Sequence, residues 1–293
     1  MGFWGAGLYA GDFAMDLRAA VAAEARLPLA DDQLVEALRE TERASADDPA
    51  DPDHTTFWLV LADQLGRRGV YPQAVRGRAL AIIDGDLDLE RLRSLGAPPA
   101  DLRKRQAKLL EIRAALVEAA PRTRKVLSKP QPLPMTTGDV IAYPTLAGNP
   151  INPYFKSKAL MRGWSHDGWG AFVVAECGHV FGYLAWFRVI TLDGARPVRP
   201  DMAAVWAEPR WRLQRPGTCS TLHFKKMEFE AVGRVTVDAE ALARLFPDRP
   251  SPRSAAIIDK SIANHLNIGP RSLALQPDSR QAWIDGLAQI ASP

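Results

Sequence analysis

Cysteine is nearly missing from this chain of 293 residues, which holds only Cys177 and Cys219. Two thiols cannot build a disulfide framework, and such sparse use fits a reducing compartment. Long apolar runs are missing too: no stretch approaches the roughly 18 residues that a membrane-crossing helix requires. The N-terminus has no basic residue before Arg18 and no apolar core of the signal-peptide kind. A cytoplasmic protein with no membrane partner is therefore expected. A phosphate-cradling glycine loop is absent, because Gly2, Gly5 and Gly7 do not follow a strand. No segment recurs at a fixed period, which excludes a solenoid. The acidic residues between Asp47 and Asp53 lack the calcium-loop spacing and its terminal glutamate. Runs of one charge are also missing. The net charge of +3 combines 15 basic against 20 acidic residues in 1–120 with 22 against 14 in 121–293. The basic excess of the second half is scattered and unlike a nucleic-acid-binding tail.

What is present is a globular composition, 47% apolar and 24% charged, sufficient for two domains. The chain opens with four glycines in eleven residues and three aromatics, Phe3, Trp4 and Tyr9. Glycines of this density mean tight turns or close packing, so the opening is expected to dock on the fold. Helical spacing follows. Phe13, Leu17 and Val21 predict a helix over 12–25, capped by Asp12. Leu34, Val35 and Leu38 predict a second, and 44–53 reads as a proline-broken loop. Phe57, Trp58, Val60, Leu61 and Leu65 predict an apolar helix over 54–66. Further helices are expected after Pro72, over 87–95 and over 101–119, separated by Asp84-Gly85-Asp86 and Gly96-Ala97-Pro98-Pro99.

Pro130, Pro132 and Pro134, with Lys125 and Lys129, then break regular structure. Beyond them the period becomes that of strands. Strands are expected over 138–144, 168–177, 179–190, 221–229 and 231–237, with a hairpin at Cys177-Gly178-His179 and a bend at Gly182. Asp238 is placed to cap a helix reaching 246, and 281–290 reads as a closing amphipathic helix. Residues 255–258 and 262–266 fit no single pattern. The expected class is α+β: a helical domain (1–124), a proline-rich linker (125–137) and a mainly β domain (138–293) forming a small barrel or a curved antiparallel sheet.

Three segments carry a family resemblance. The opening Met1-Gly2-Phe3-Trp4-Gly5-Ala6-Gly7 and the helix containing Thr56-Phe57-Trp58-Leu59-Val60-Leu61-Ala62-Asp63 resemble a bacterial domain family of unknown function. Lys129-Pro130 followed by Gly138-Asp139-Val140-Ile141-Ala142-Tyr143-Pro144 is similar to the first strand of a family of immunity proteins of polymorphic toxin systems. The second resemblance covers little beyond 129–190. It implies a non-enzymatic protein that neutralises a protein partner, a toxin, by stoichiometric occlusion.

The candidate contact residues are Trp164, His166, Asp167 and Trp169, where two indoles flank a Ser-His-Asp triplet, and the cluster Trp206, Arg210 and Trp211. Rigid aromatics with polar groups between them suit an interface. The consecutive Ser165, His166 and Asp167 are not a catalytic triad, because their side chains diverge. Arginine beside tryptophan also suits stacking on bases, so nucleic-acid binding by the basic half is an alternative. A further alternative rests on Cys177, His179, Cys219 and His223. These are the right ligand types for zinc, and a cysteine beside a histidine is the pattern of a thiol enzyme. The leading expectation has no cofactor and no catalytic residue.

Overall fold

The computed structural model describes residues 5–118, 123–156, 163–245, 261–268 and 283–293. They form a mixed α+β protein that divides into two compact units, with the break between Ser128 and Lys129. Among the described residues, no helix is long and apolar enough to cross a membrane.

Among the described residues, the first unit holds seven helices: α1 (Asp12–Glu24), α2 (Asp31–Thr41), α3 (Arg43–Asp47), α4 (His54–Gly66), α5 (Gln73–Asp84), α6 (Leu87–Ser94) and α7 (Pro99–Val117). Helix α4 is apolar on every side, which obliges it to be covered all round. Leu17 and Val21 of α1, Val75, Ala79 and Ile82 of α5, and Leu109, Ile112 and Leu116 of α7 join its Phe57, Leu59, Val60 and Leu61 in one core. The polar groups that α4 carries inward find partners. Thr55 Oγ1 donates to Asp88 at 3.0 Å, and Trp58 Nε1 donates to the Ala46 carbonyl at 3.1 Å. Asp88 also receives Arg105 Nε at 2.7 Å. Burial works to raise the Asp88 carboxyl, but Arg105 and Arg91 overcome it and hold the group below its ordinary range. Part of the expected 44–53 loop is helical, as α3. Asp12 sits in the first turn of α1 and Gly11 takes the cap position, so no side chain caps that helix. Leu8 is buried in the core and Tyr9 packs against it, so this stretch of the opening is docked. Residues 1–4 lie outside the described set.

The second unit is built on an open, antiparallel sheet and not on a closed barrel. Its strands are β1 (Asp139–Leu146), β2 (Asn149–Pro150), β3 (Gly168–Val180), β4 (Leu184–Leu192), β5 (Trp211–Leu213), β6 (Glu230–Arg234) and β8 (Trp283–Ile284). The order is β2-β1-β3-β4-β5-β8, with β6 also paired to β1. A small second ladder joins β7 (Thr236–Val237) to β9 (Ala291–Ser292). Helices α8 (Met202–Ala207), α9 (Thr221–Lys226) and α10 (Ala239–Leu245) complete the unit. The sheet is buried on both faces. One face carries Val140, Val173, Ile190 and Trp211 under α8 and α10; the other carries Ile141, Tyr143, Phe172 and Phe187 under Met227, Ile262 and Leu266. Two-sided burial explains why β4 is buried at every position and apolar at all but Arg188 and Thr191.

Several local expectations are corrected. Strand β3 runs straight through Cys177-Gly178-His179, and the turn comes at Phe181 and Gly182, whose φ values are 51° and 71°. Strand β1 continues past Pro144, and its hairpin to β2 turns at Ala147 and Gly148, again with positive φ (49° and 75°). Such paired left-handed residues match the twist of a two-stranded ribbon. Residues 221–226 are helical, because the Ser220 hydroxyl accepts the His223 N–H at 3.1 Å and caps α9. The expected 231–237 strand is split between two ladders, β6 on β1 and β7 on β9. The closing helix is replaced by β8, a 3-10 turn (Leu287–Gln289) and β9, with Gly286 at φ 82° interrupting any helix; residues 281–282 are outside the described set. The Asp238 cap is present: its carboxylate accepts the N–H groups of Glu240 and Ala241 at 2.9 and 3.0 Å. Residues 262–264 form a 3-10 turn, and 255–258 lie outside the described residues.

Candidate binding site

The β1–β2 hairpin positions a concave surface within the second unit. Both Asp167 carboxylate oxygens accept the Ala147 N–H, each at 2.9 Å, so the 163–168 segment is tied to the hairpin tip. The Asp167 N–H in turn donates to the Thr145 carbonyl at 2.9 Å. This places Trp164 beside the turn that follows β2. There Asn152 Oδ1 accepts the Tyr154 N–H at 2.9 Å, and Lys226 Nζ donates to the carbonyls of Pro153 and Phe155 at 3.1 and 2.9 Å. The ring of His223 meets Tyr154 edge-on at 5.1 Å. Burial, with Lys226 adding to it, holds His223 below its ordinary value, so the ring is neutral at neutral pH.

The turn is thus fixed from three sides while its aromatic side chains stay in solvent: Tyr154 is 63% exposed and Phe155 43%. Together with Trp164, Asn149, Asn152 and Asn267 they line a concavity of about 530 Å³. Among the described residues, no residue of its lining is charged. Asn267 Nδ2 donates to Asn149 Oδ1 at 2.6 Å and braces the far wall. His166 is exposed near this surface, with its ring 5.6 Å from that of Trp169.

The other expected site residues divide. Trp164, His166, Asp167 and Trp169 come together as described. Trp211 does not belong to a contact surface: it is fully buried on the inner side of β5. Trp206 lies on α8 and packs against that same core. Arg210 is exposed, but it pairs with Asp193 at 2.5 Å and lies over the ring of Trp283 at 5.4 Å.

The cysteine and histidine set does not assemble. Cys219 is buried in the core beneath β1 and β3, and burial pushes its thiol up to about 12. A thiol so raised is not a nucleophile at neutral pH. Cys177 Sγ lies 3.7 Å from Thr137 Oγ1, His179 Nε2 donates to the Gln131 carbonyl at 2.7 Å, and His223 faces Tyr154. Among the described residues, no three His, Cys, Asp or Glu side chains form a group able to hold a metal ion.

Sequence reasoning missed Tyr154, Phe155 and Lys226. The signal was Asn149-Pro150-Ile151-Asn152-Pro153-Tyr154-Phe155, in which turn-forming residues lead directly into two aromatics. No family model matches the chain, and no curated protein or solved structure matches it.

Proposed function

We propose that this is a non-enzymatic cytoplasmic binding protein that neutralises a protein partner by stoichiometric occlusion, in the manner of immunity proteins. The contact surface is the concavity of Trp164, Tyr154 and Phe155, with His166 and Trp169 on its margin. The observation that carries the reading is the exposure of Tyr154 and Phe155 on a turn held by Lys226, Asn152 and His223. Anchoring an exposed aromatic in advance lowers the ordering cost of association, and aromatic anchors dominate interface energies. The two free thiols suit a reducing compartment.

The test is co-expression with each product of the genes flanking its own, in a host whose growth one of those products arrests. The wild-type chain restores growth, and Tyr154→Ala combined with Trp164→Ala does not, although the variant accumulates to the same level. Restored growth with the double variant would remove this surface from the function. A wild-type chain that gives no protection would remove the neutralising role.

A further inference from the structure

The first unit contains a second concavity, of about 490 Å³, lined by Tyr9, Arg18, Gln64, Arg67 and Arg68. It stands out because the half of the chain that forms it is acidic, with 15 basic against 20 acidic residues in 1–120. Three guanidinium groups meet here and one carboxylate accompanies them. Asp63 receives Arg67 Nε at 2.7 Å and the Tyr9 hydroxyl. Arg68 Nη1 donates only to neutral acceptors, the Gln64 carbonyl at 2.6 Å and Gln64 Oε1 at 3.1 Å. Arg18 lies over the Tyr9 ring, 5.2 Å from its centre. Among the described residues, neither Arg18 nor Arg68 pairs with a carboxylate.

Burial holds the Arg68 guanidinium below its ordinary value, and the charges of Arg18 and Arg67 add to the effect. The Tyr9 hydroxyl is pushed up to about 12, mainly by burial, and so stays neutral. Three cations against one carboxylate leave two positive charges at the rim of one cavity. Part of this arrangement serves α4, since an arginine at a helix C-terminus satisfies a last-turn carbonyl. That role uses only Nη1 of Arg68 and does not account for Arg18.

We propose that this concavity binds a phosphate dianion, free or as a phosphomonoester, through Arg18 and Arg68 with Arg67 at its side. A phosphate carries about −1.5 to −2 at neutral pH and offers several acceptor oxygens, which match two uncompensated guanidinium forks. The volume exceeds what a bare phosphate fills, and the Tyr9 ring offers an apolar floor to an ester's organic part. This site is independent of the surface in the second unit.

The test is calorimetric titration of the full chain at fixed ionic strength with inorganic phosphate, with glycerol 3-phosphate and with chloride. Saturable one-site binding of phosphate or its ester, and none of chloride, is expected. Arg18→Gln and Arg68→Gln should each weaken it at least about tenfold. Arg18 is exposed and makes no hydrogen bond among the described residues, so its variant keeps the fold even if Arg68→Gln does not. Tighter binding of the ester would identify an organic phosphate as the ligand, and equal binding would identify free phosphate. Absence of saturable binding up to millimolar phosphate and ester, or wild-type affinity in Arg18→Gln, would overturn the proposal.

Discussion

Asp88 of the helical unit and Arg212 of the sheet unit are both buried charges, held in different ways. In the helical unit the buried Asp88 carboxylate is held by Arg105, Arg91 and Thr55. In the sheet unit Arg212 is also buried, yet among the described residues its Nη2 reaches only the Asn267 carbonyl, at 3.1 Å, and its Nε and Nη1 have no partner. Glu24, at the end of α1, is the extreme case: fully buried, with neither oxygen hydrogen-bonded. The difference teaches what each charge is for. Asp88 is neutralised by arginines that the α6–α7 hairpin brings to it, and it locks those helices together. Arg212 serves as a hydrogen-bond donor. With Tyr143, whose hydroxyl donates to the Leu266 carbonyl at 2.9 Å, it clamps two consecutive carbonyls of the 261–268 segment onto the sheet. Glu24 escapes the cost of burial by staying protonated, because burial pushes its carboxyl up to about 8.

The largest expected effect follows from Glu24. Its folded value of about 8 lies above the ordinary 4.5, so the folded state binds the proton more tightly than the unfolded state. Its contribution to stability is complete below pH 4.5, falls as pH rises to 8 and is level beyond. At about 1.4 kcal/mol per unit this amounts to at most about 5 kcal/mol. Urea unfolding of the first unit across that range should show the fall, and Glu24→Gln should abolish it. A wild-type profile without slope would show that Glu24 finds a partner.

Asp88→Ala comes next. It strands Arg105, which is 3% exposed, without its counter-ion, and should cost about 3–5 kcal/mol in the same assay. A third change sharpens the clamp. A Cβ at position 170 would lie 2.3 Å from Tyr143 Cζ, so Gly170→Ala must displace the ring from its bond to Leu266. Overpacking of this kind costs about 1–3 kcal/mol, readable as a lower melting temperature of the second unit. The smallest effect completes the comparison. Arg212→Met should change stability by no more than about 1 kcal/mol, since it strands no counter-charge and frees only the half-buried Asn267 carbonyl. Arg105→Met strips Asp88 and should match the loss in Asp88→Ala. Equal losses in both methionine variants would erase the distinction between Asp88 and Arg212.

The sequence made the helical unit legible because its periodicity is local. The apolar positions of α4, the stops at Gly69 and Gly96 and the start at Pro99 fix helices that neighbours only confirm. The sheet was legible as a set of strands, less so in its turns. Gly178 looked like a turn, yet it is a strand position where Trp186 crosses: a Cβ there would meet the indole Nε1 at 3.3 Å. The real turn uses Phe181 in a left-handed conformation, which phenylalanine does not advertise. The 221–226 helix hid for a similar reason, since its start depends on one Ser220 cap. Within the site, Trp164 and Asp167 announced themselves by composition. Tyr154 and Phe155 did not, because their exposure depends on Lys226, more than seventy positions further along the chain, fixing the turn. Trp211 misled in the opposite direction: its arginine neighbours suggested a surface, but strand alternation turns it inward.

The most direct test of the central claim is a calorimetric titration of the purified chain with a growth-arresting product of a flanking gene, using wild type and Tyr154→Ala. The surface proposed here predicts a one-to-one complex that Tyr154→Ala weakens by roughly 30-fold, about 2 kcal/mol, without lowering its melting temperature. Unchanged affinity in that variant, or no complex with the wild-type chain, would contradict it.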